Sequence, residues 1–488
     1  MPQCRLVIKD EVNCKLEGLD LDIRKKLVKK FKYELPYARH LPAVRLGRWD
    51  GCVAFFQLGG STYINLLGDI LPELAKYNWD VELVDNRPPR QDFEFEEVRE
   101  DSYAHIMWPK GHPIAGQPIM LRDYQIEIIN NFLTNPQSLQ EVATGAGKTL
   151  MTAVLSHKIE AYGRSIVIVP NKSLVTQTEA DYINLGLDVG VYFGDRKDLS
   201  KTHTICTWQS LNALLKHDKN SEDLENEKFN VDMLMDGVVC VIIDEVHQAK
   251  AEVLKSLLTD TMANVPLRWG LTGTIPKELF EFQALRTSIG EVISKLSAST
   301  LQEQGVLAQC HVNILQTQEG KDYANYQSEM QQLVTSPTRL DWMAATIENV
   351  VLTGNTLILV DRITTGKELE NRIAGSVFVS GATKALDRKD QYDEVADVNN
   401  KVIIATYGVA AVGINIPRIF NLVLVEPGKS FVRVIQSIGR GIRKAEDKDF
   451  VQIWDVTSSC KFSKRHLAKR KQIYKEANYP FSIQKIDI

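Results

Sequence analysis

Residues 141–150 read EVATGAGKTL, and this stretch decides the fold. Gly145 and Gly147 flank Ala146, then Lys148 and Thr149 open the apolar helical run KTLMTAVLSHKIEAY. Glycines let consecutive backbone N–H groups turn into one cavity. A lysine there reaches β- and γ-phosphates, and a following hydroxyl ligates Mg²⁺. The helix that starts at Lys148 adds the positive end of its dipole. The full consensus has glycine five positions before Gly147, where this chain has Val142. Thr144, Gly145, Ala146, Gly147, Lys148 and Thr149 are therefore the candidate phosphate cradle, with ATP and Mg²⁺ as the implied ligands.

A phosphate loop needs an acid from a second strand to complete its metal site. The stretch 241–249, VIIDEVHQA, supplies one: an apolar run ends in Asp244 and Glu245. Asp244 is the expected Mg²⁺ partner beside Thr149, and Glu245 the residue that polarises the attacking water. His247 lacks the second histidine four residues away that a zinc protease needs.

Working outward, the runs 165–170, 203–207, 238–244, 268–273, 356–361, 402–406 and 421–427 are short, apolar and β-branched. Helical stretches separate them. That pattern predicts parallel sheets covered on both faces, in two α/β units. We expect motor domains at 121–310 and 336–460, joined by a connector at 311–335 whose polar segment 316–333 includes the connection and a leading helix. Residues 86–120 carry prolines at 88, 89, 109, 113 and 118, which marks 101–120 as a connector and leaves a small domain at 1–100. Residues 1–48 hold 12 Lys/Arg against 6 Asp/Glu, so that domain is basic. Residues 461–475 hold seven Lys/Arg and no acid. With the rest of 461–488 they read as a basic helix and tail, either a solvated face or a nucleic-acid contact.

The net charge of −4 gives no bulk signal for nucleic acid. The seven cysteines are scattered without a C-x-x-C pair, which argues against a disulfide framework or zinc cluster and fits a reducing compartment. No long apolar segment occurs near the N-terminus, so neither a signal peptide nor a membrane span is expected.

With these motifs in order, the chain resembles the superfamily 2 helicases over about 121–460. LRDYQ (121–125) resembles their adenine-reading element, with Arg122 and Gln125 near the base. IVIVPNKSLVTQ (166–177) and ICTWQSL (205–211) resemble the elements that touch the nucleic-acid backbone, and LTGT (271–274) the coupling element after the DEVH box. The series continues with TLILVDRITTGKEL (356–369), VIIATYGVAAVGINIP (402–417) and QSIGRGIRK (436–444), the last a full Q-x-x-G-R-x-x-R. The resemblance implies two tandem RecA-like domains and an ATPase stimulated by nucleic acid. It implies catalytic roles for Gln436, Arg440 and Arg443 at the γ-phosphate, and a nucleotide contact at Gly413. Nucleic-acid contacts fall at Asn171, Lys172, Gln177, Thr207, Gln209, Ser380, Gly381 and Thr406. Asn415 stands where many relatives carry an aspartate on the ribose.

The N-terminal stretch 37–57, YARHLPAVRLGRWDGCVAFFQ, interleaves arginines with aromatics. It suits backbone contact and base stacking, with Arg48 and Trp49 as candidates. It also reads as a hairpin turn with core aromatics. A small domain carrying this turn before LRDYQ resembles the phage UvsW-type helicases, which implies action on branched or duplex DNA such as forks, junctions and D-loops. The implied setting is replication, recombination or repair, in a bacterial or phage-infected cytoplasm, with a monomer favoured and replication or recombination proteins as possible partners. A duplex translocase that leaves strands paired, an RNA helicase and an ATP-gated clamp stay open as alternatives.

Overall fold

A computed structural model describes residues 2–35, 37–89, 91–110, 114–220, 230–246, 251–319, 323–381, 399–409, 418–428, 438 and 447–488. The chain divides into two compact units. The first is Met1–Val142 with Gly147–Lys295, and the second is Leu296–Ile488 with the short stretch Ala143–Ala146.

The first unit begins with an α+β layer. Strands β1 (Gln3–Ile8), β2 (Asn13–Glu17), β5 (Ser61–Tyr63) and β6 (Asp80–Asp85) form a sheet in the order β5-β2-β1-β6; a short pair, β3 (Lys32–Glu34) and β4 (Cys52–Ala54), lies apart. Burial alternates along β1, with Cys4, Leu6 and Ile8 inward, as a sheet with one covered face requires. Helices Leu21–Lys30 and Leu67–Lys76 bury Ile23, Leu27, Ile70 and Leu74. This core also takes in Phe280 and Ala284 from the helix Leu279–Ser288. The N-terminal layer and the motor sheet that follows thus share apolar packing. Asn13 Nδ2 donates to the Thr259 carbonyl at 2.8 Å, and Arg286 pairs with Asp69 at 2.6 Å.

The eight strands of the motor sheet are β7 (Gln137–Val142), β8 (Arg164–Val169), β9 (Val189–Phe193), β10 (Arg196–Lys197), β11 (His203–Thr207), β12 (Val238–Asp244), β13 (Leu267–Thr272) and β14 (Glu291–Leu296), ordered β10-β9-β11-β8-β12-β13-β7-β14. From β9 across to β7 every pairing is parallel. The carboxyl ends of β11, β8, β12, β13 and β7 therefore lie side by side, where open α/β sheets place their sites. The proline-rich stretch before this sheet is tied down. The Val98 N–H donates to Asn130 Oδ1 at 2.9 Å, and Tyr103 OH meets His157 Nδ1 at 2.9 Å.

The second unit holds β15 (Gln309–Gln318), β16 (Thr356–Val360), β17 (Ser376–Val379), β18 (Val402–Thr406), β19 (Asn421–Val425), β20 (Phe450–Ser458) and β21 (Phe481–Asp487), all parallel, in the order β17-β18-β16-β19-β20-β15-β21. Two expectations are corrected here. Residues 311–335 hold the expected leading helix, Tyr326–Thr335, but also most of β15, an inner strand, where only a connector is expected. Residues 461–488 end in a strand rather than a tail, because β21 pairs with β15. Both strands alternate polar and apolar residues, so neither carries the continuous run that marks their neighbours. No described helix is long and apolar enough to cross a membrane.

Candidate nucleotide site

β7 delivers the loop. After Val142 the chain turns through Gly145 at φ +91° and Gly147 at φ +85°, left-handed conformations that favour glycine. Gly147 caps the helix Lys148–Ile159, whose first N–H groups lack intrahelical acceptors. Thr144 is half-buried and Ala146 buried. A Cβ on Gly147 would stand 2.7 Å from Gln125 Nε2. The loop thus lies directly against the residue expected to read the base. Gln125 is itself held, its Oε1 accepting the Arg122 N–H at 3.0 Å, while the Arg122 guanidinium reaches Tyr124 OH at 3.0 Å.

Lys148 is buried and pairs with Glu245 Oε1 at 2.9 Å; it also donates to the Val142 carbonyl at 3.3 Å. Glu245 sits at φ +51°, a left-handed conformation uncommon for a side-chain-bearing residue. Its other oxygen accepts the Gly273 N–H at 3.2 Å, and its own N–H donates to Asp244 Oδ1 at 2.9 Å. Burial first, and then the adjacent Glu245 charge, push Asp244 well above the usual carboxylate range, with Lys148 pulling the other way.

The donor chemistry fits a nucleoside triphosphate with Mg²⁺. Thr149 offers a hydroxyl and Asp244 a carboxylate, hard oxygen ligands of the kind that ion takes. The loop supplies backbone N–H groups, and Lys148 supplies a cation whose present partner is a carboxylate that phosphate can replace. The sequence does not mark Gly273 as a partner of Glu245. Its motif was visible, but the adjacency of β13 to β12 that brings it to Glu245 is not readable from spacing.

The first unit's candidates Asn171, Lys172, Gln177, Thr207 and Gln209 gather at the same sheet edge, at the ends of β8 and β11. Asn171 Oδ1 accepts the Leu174 N–H at 3.0 Å, so it caps the helix Lys172–Asn184. Thr207 is buried and caps Ser210 at 3.2 Å. Lys172, Gln177 and Gln209 are exposed, and Gln209 Nε2 reaches the Pro170 carbonyl at 3.4 Å, joining the two elements. In the second unit Ser380 is buried and Gly381 exposed after β17. Thr406 ends the adjacent β18 and accepts the Val409 N–H at 3.4 Å. Three of the small polar residues are thus helix caps. Gly413, Asn415, Gln436, Arg440, Arg443 and His247 lie outside the described residues.

Of the two readings of the N-terminal aromatics, their burial agrees with the hairpin with core aromatics. Phe55 and Phe56 are fully buried and Trp49 packs partly against the same core, its ring N–H donating to the Cys52 carbonyl at 3.0 Å. Phe55 and Phe56 are core residues, while Trp49 is half-buried and Arg48 exposed.

Residues 118–277 match the family model for the res subunit of type III restriction enzymes, and residues 340–445 match that for the helicase conserved C-terminal domain. The ATP-dependent DNA helicase uvsW of Enterobacteria phage T4 is 23% identical over 472 residues, covering 92% of this chain and 89% of the relative. The DNA 3'-5' translocase XPB2 of Sulfurisphaera tokodaii is 28% identical over 191 residues, 39% of this chain and 38% of the relative. Among solved structures, an ATP-dependent type ISP restriction-modification enzyme, LlaBIII bound to DNA, shares the fold with a TM-score of 0.56 at 15% identity, over 86% of this chain and 36% of that one.

Proposed function

We propose that this chain, which belongs to the superfamily 2 helicases and is an ATP-dependent helicase, acts on branched or duplex DNA and remodels forks, junctions or D-loops. The observation that carries the reading is the chain of contacts from Lys148 through Glu245 to Gly273. It ties the phosphate loop to the turn after the neighbouring strand, so a change at the phosphates is felt at the end of β13.

In this reading Lys148 leaves Glu245 and takes the β- and γ-phosphates. Glu245, released, orients the attacking water and accepts its proton, while its hold on Gly273 changes. Asp244 and Thr149 would hold Mg²⁺, which would supply charge neutralisation at the phosphates. Gln125 and Arg122 position the base. Gln436, Arg440 and Arg443 keep the γ-phosphate role that the resemblance implies. Lys172, Gln177 and Gln209, exposed at one rim, are suited to backbone phosphates, which position a nucleic acid without reading its sequence. DNA, rather than RNA, is favoured by the relatives' names. A monomer in a bacterial or phage-infected cytoplasm is the simplest setting.

The test is ATP hydrolysis with and without nucleic acid, followed by strand displacement on forked DNA, four-way junction DNA and an RNA duplex. We expect DNA-stimulated ATPase and displacement on the branched DNAs. ATPase indifferent to any nucleic acid sinks the motor reading. Displacement confined to the RNA duplex replaces DNA with RNA.

A further inference from the structure

The helix Lys461–Glu476 has two distinct faces. Ser463, Leu467, Arg470, Ile473 and Tyr474 are buried. Arg470 grips Asp455 through bonds of 2.8 and 2.9 Å and donates to the Gly428 carbonyl at 2.7 Å; Tyr474 OH donates to Asp455 at 2.7 Å. At the other end the Glu329 carboxylate receives the N–H groups of Phe462 and Ser463 at 2.9 and 2.7 Å. The helix is therefore held at its start by the helix Tyr326–Thr335 and toward its end by strand β20, which fixes the face it turns outward.

At about 100° per residue the buried positions fill one sector of roughly 120°. Lys461, Lys464, Arg465, Lys469, Lys471 and Lys475 fill roughly 160° of the opposite side. Five are exposed and Lys471 is half-buried. Among the described residues none of the six forms an ion pair with a carboxylate. The N-terminal domain differs. Arg5 and Lys15 pair with Glu17, Lys30 with Glu73, Lys32 with Asp50, and Arg39 with Glu34. Five of the twelve cations at 1–48 are thus paired, whereas none of the six on the C-terminal helix pairs with a carboxylate among the described residues, in a chain of net charge −4.

We propose that this face is a binding surface for the sugar-phosphate backbone of DNA, lying outside the motor motifs. The proposal rests on the DNA reading above. From Lys461 to Lys475 the face runs about 21 Å at 1.5 Å per residue, long enough to meet several phosphates of a duplex. A membrane-surface helix would present large apolar side chains beside its cations. Here the apolar side is buried against the protein, which favours a polyanion over a lipid surface.

The test uses the full chain and a fluorescent duplex, with affinity measured over a salt series. The variant Lys464→Glu/Arg465→Glu/Lys469→Glu is compared with Lys25→Glu/Lys26→Glu/Lys29→Glu, which makes the same charge change on the N-terminal domain. We expect the first variant to flatten the slope of log affinity against log salt by about 2–3, and to weaken binding roughly tenfold or more. DNA-free ATPase should be unchanged, and the second variant should lose little slope. The neutral set Lys464→Gln/Arg465→Gln/Lys469→Gln, checked by near-UV circular dichroism, guards against misfolding and should show the same direction. An unchanged slope in both C-terminal sets overturns the proposal. So does an equal loss in the N-terminal variant, which would show only overall charge at work. A wild type with no salt-dependent binding to any DNA overturns the DNA reading as well.

Discussion

Replacing Glu245 with glutamine separates ATP binding from hydrolysis. Its carboxylate stands 2.9 Å from Lys148, and the two side chains are only 9% and 8% exposed. A hydrogen bond to a charged group is worth about 1.5–3 kcal/mol. To reach a phosphate, Lys148 must give that bond up, so the pair competes with ATP. Glutamine keeps an oxygen for the Gly273 N–H and matches glutamate in size. It occupies the same left-handed conformation, so backbone strain cancels in the comparison. What is lost is the charge holding Lys148. Even the lower bound of that range corresponds to about tenfold in an equilibrium constant. Glu245→Gln should therefore bind a non-hydrolysable ATP analogue about tenfold more tightly by calorimetry. Turnover should fall by about 10²–10⁴, the usual contribution of a positioned general base. Retained turnover would place water activation elsewhere. Weaker analogue binding by a folded variant would refute the competition between Glu245 and phosphate.

Gly147→Ala places a Cβ 2.7 Å from Gln125 Nε2 at φ +85°; with about 1–2 kcal/mol of left-handed strain, nucleotide affinity should drop by about tenfold, and an unchanged titration would mean the loop relaxes freely. Arg470→Met leaves Asp455 buried without its cation and should cost about 3–5 kcal/mol, read as a lower urea midpoint for the second unit. Adding Asp455→Leu should recover most of the loss, and no recovery would assign the cost to packing instead. Burial lowers Lys255 from its ordinary 10.5 to about 8. Between those values the unfolded chain binds more protons, so stability should rise with pH by up to about 1.4 kcal/mol per unit. Lys255→Met should abolish that rise in urea titrations at pH 7.5 and 9.5, and an identical rise in the variant would place its origin elsewhere.

The legible parts of the fold are those where one short stretch carries the whole signal. HTICT, VVCVIID and VIIAT form the strands His203–Thr207, Val238–Asp244 and Val402–Thr406, because an inner parallel strand needs apolar residues on both faces. The phosphate loop was legible for a similar reason: glycines, a lysine and a helix start are contiguous. β14 (EVISKL) was not, since its burial alternates between exposed and partly covered. β15 carries no continuous apolar run although it lies inside its sheet, because QCHVNILQTQ alternates and several of its polar side chains find partners. Asn313, for example, donates to Gln452 at 2.7 Å.

Strand order is where the sequence falls silent, and the site depends on it. Asp244 and Glu245 could be assigned from their own strand, but Gly273 reaches Glu245 only because β13 is the neighbour of β12. The same limit hides how the N-terminal domain is used. Its basic and aromatic residues suggest a free-standing nucleic-acid module, yet Phe55 packs on Phe280 with ring centroids 5.9 Å apart. Phe280 lies on the helix Leu279–Ser288, a few residues beyond the Thr272–Thr274 turn that contains Gly273. Arg286 on that helix pairs with Asp69, and Lys255 stands 4.3 Å over the Phe55 ring. An aromatic contact and an ion pair from one helix give the N-terminal layer a grip on the segment that follows the Glu245 contact. A cut after residue 100 would leave Phe280 and Ala284 uncovered and Arg286 without Asp69. Loss of activity on such a cut reports first on motor stability, and point changes on the domain's exposed surface are the cleaner measure of what it contributes to substrate handling.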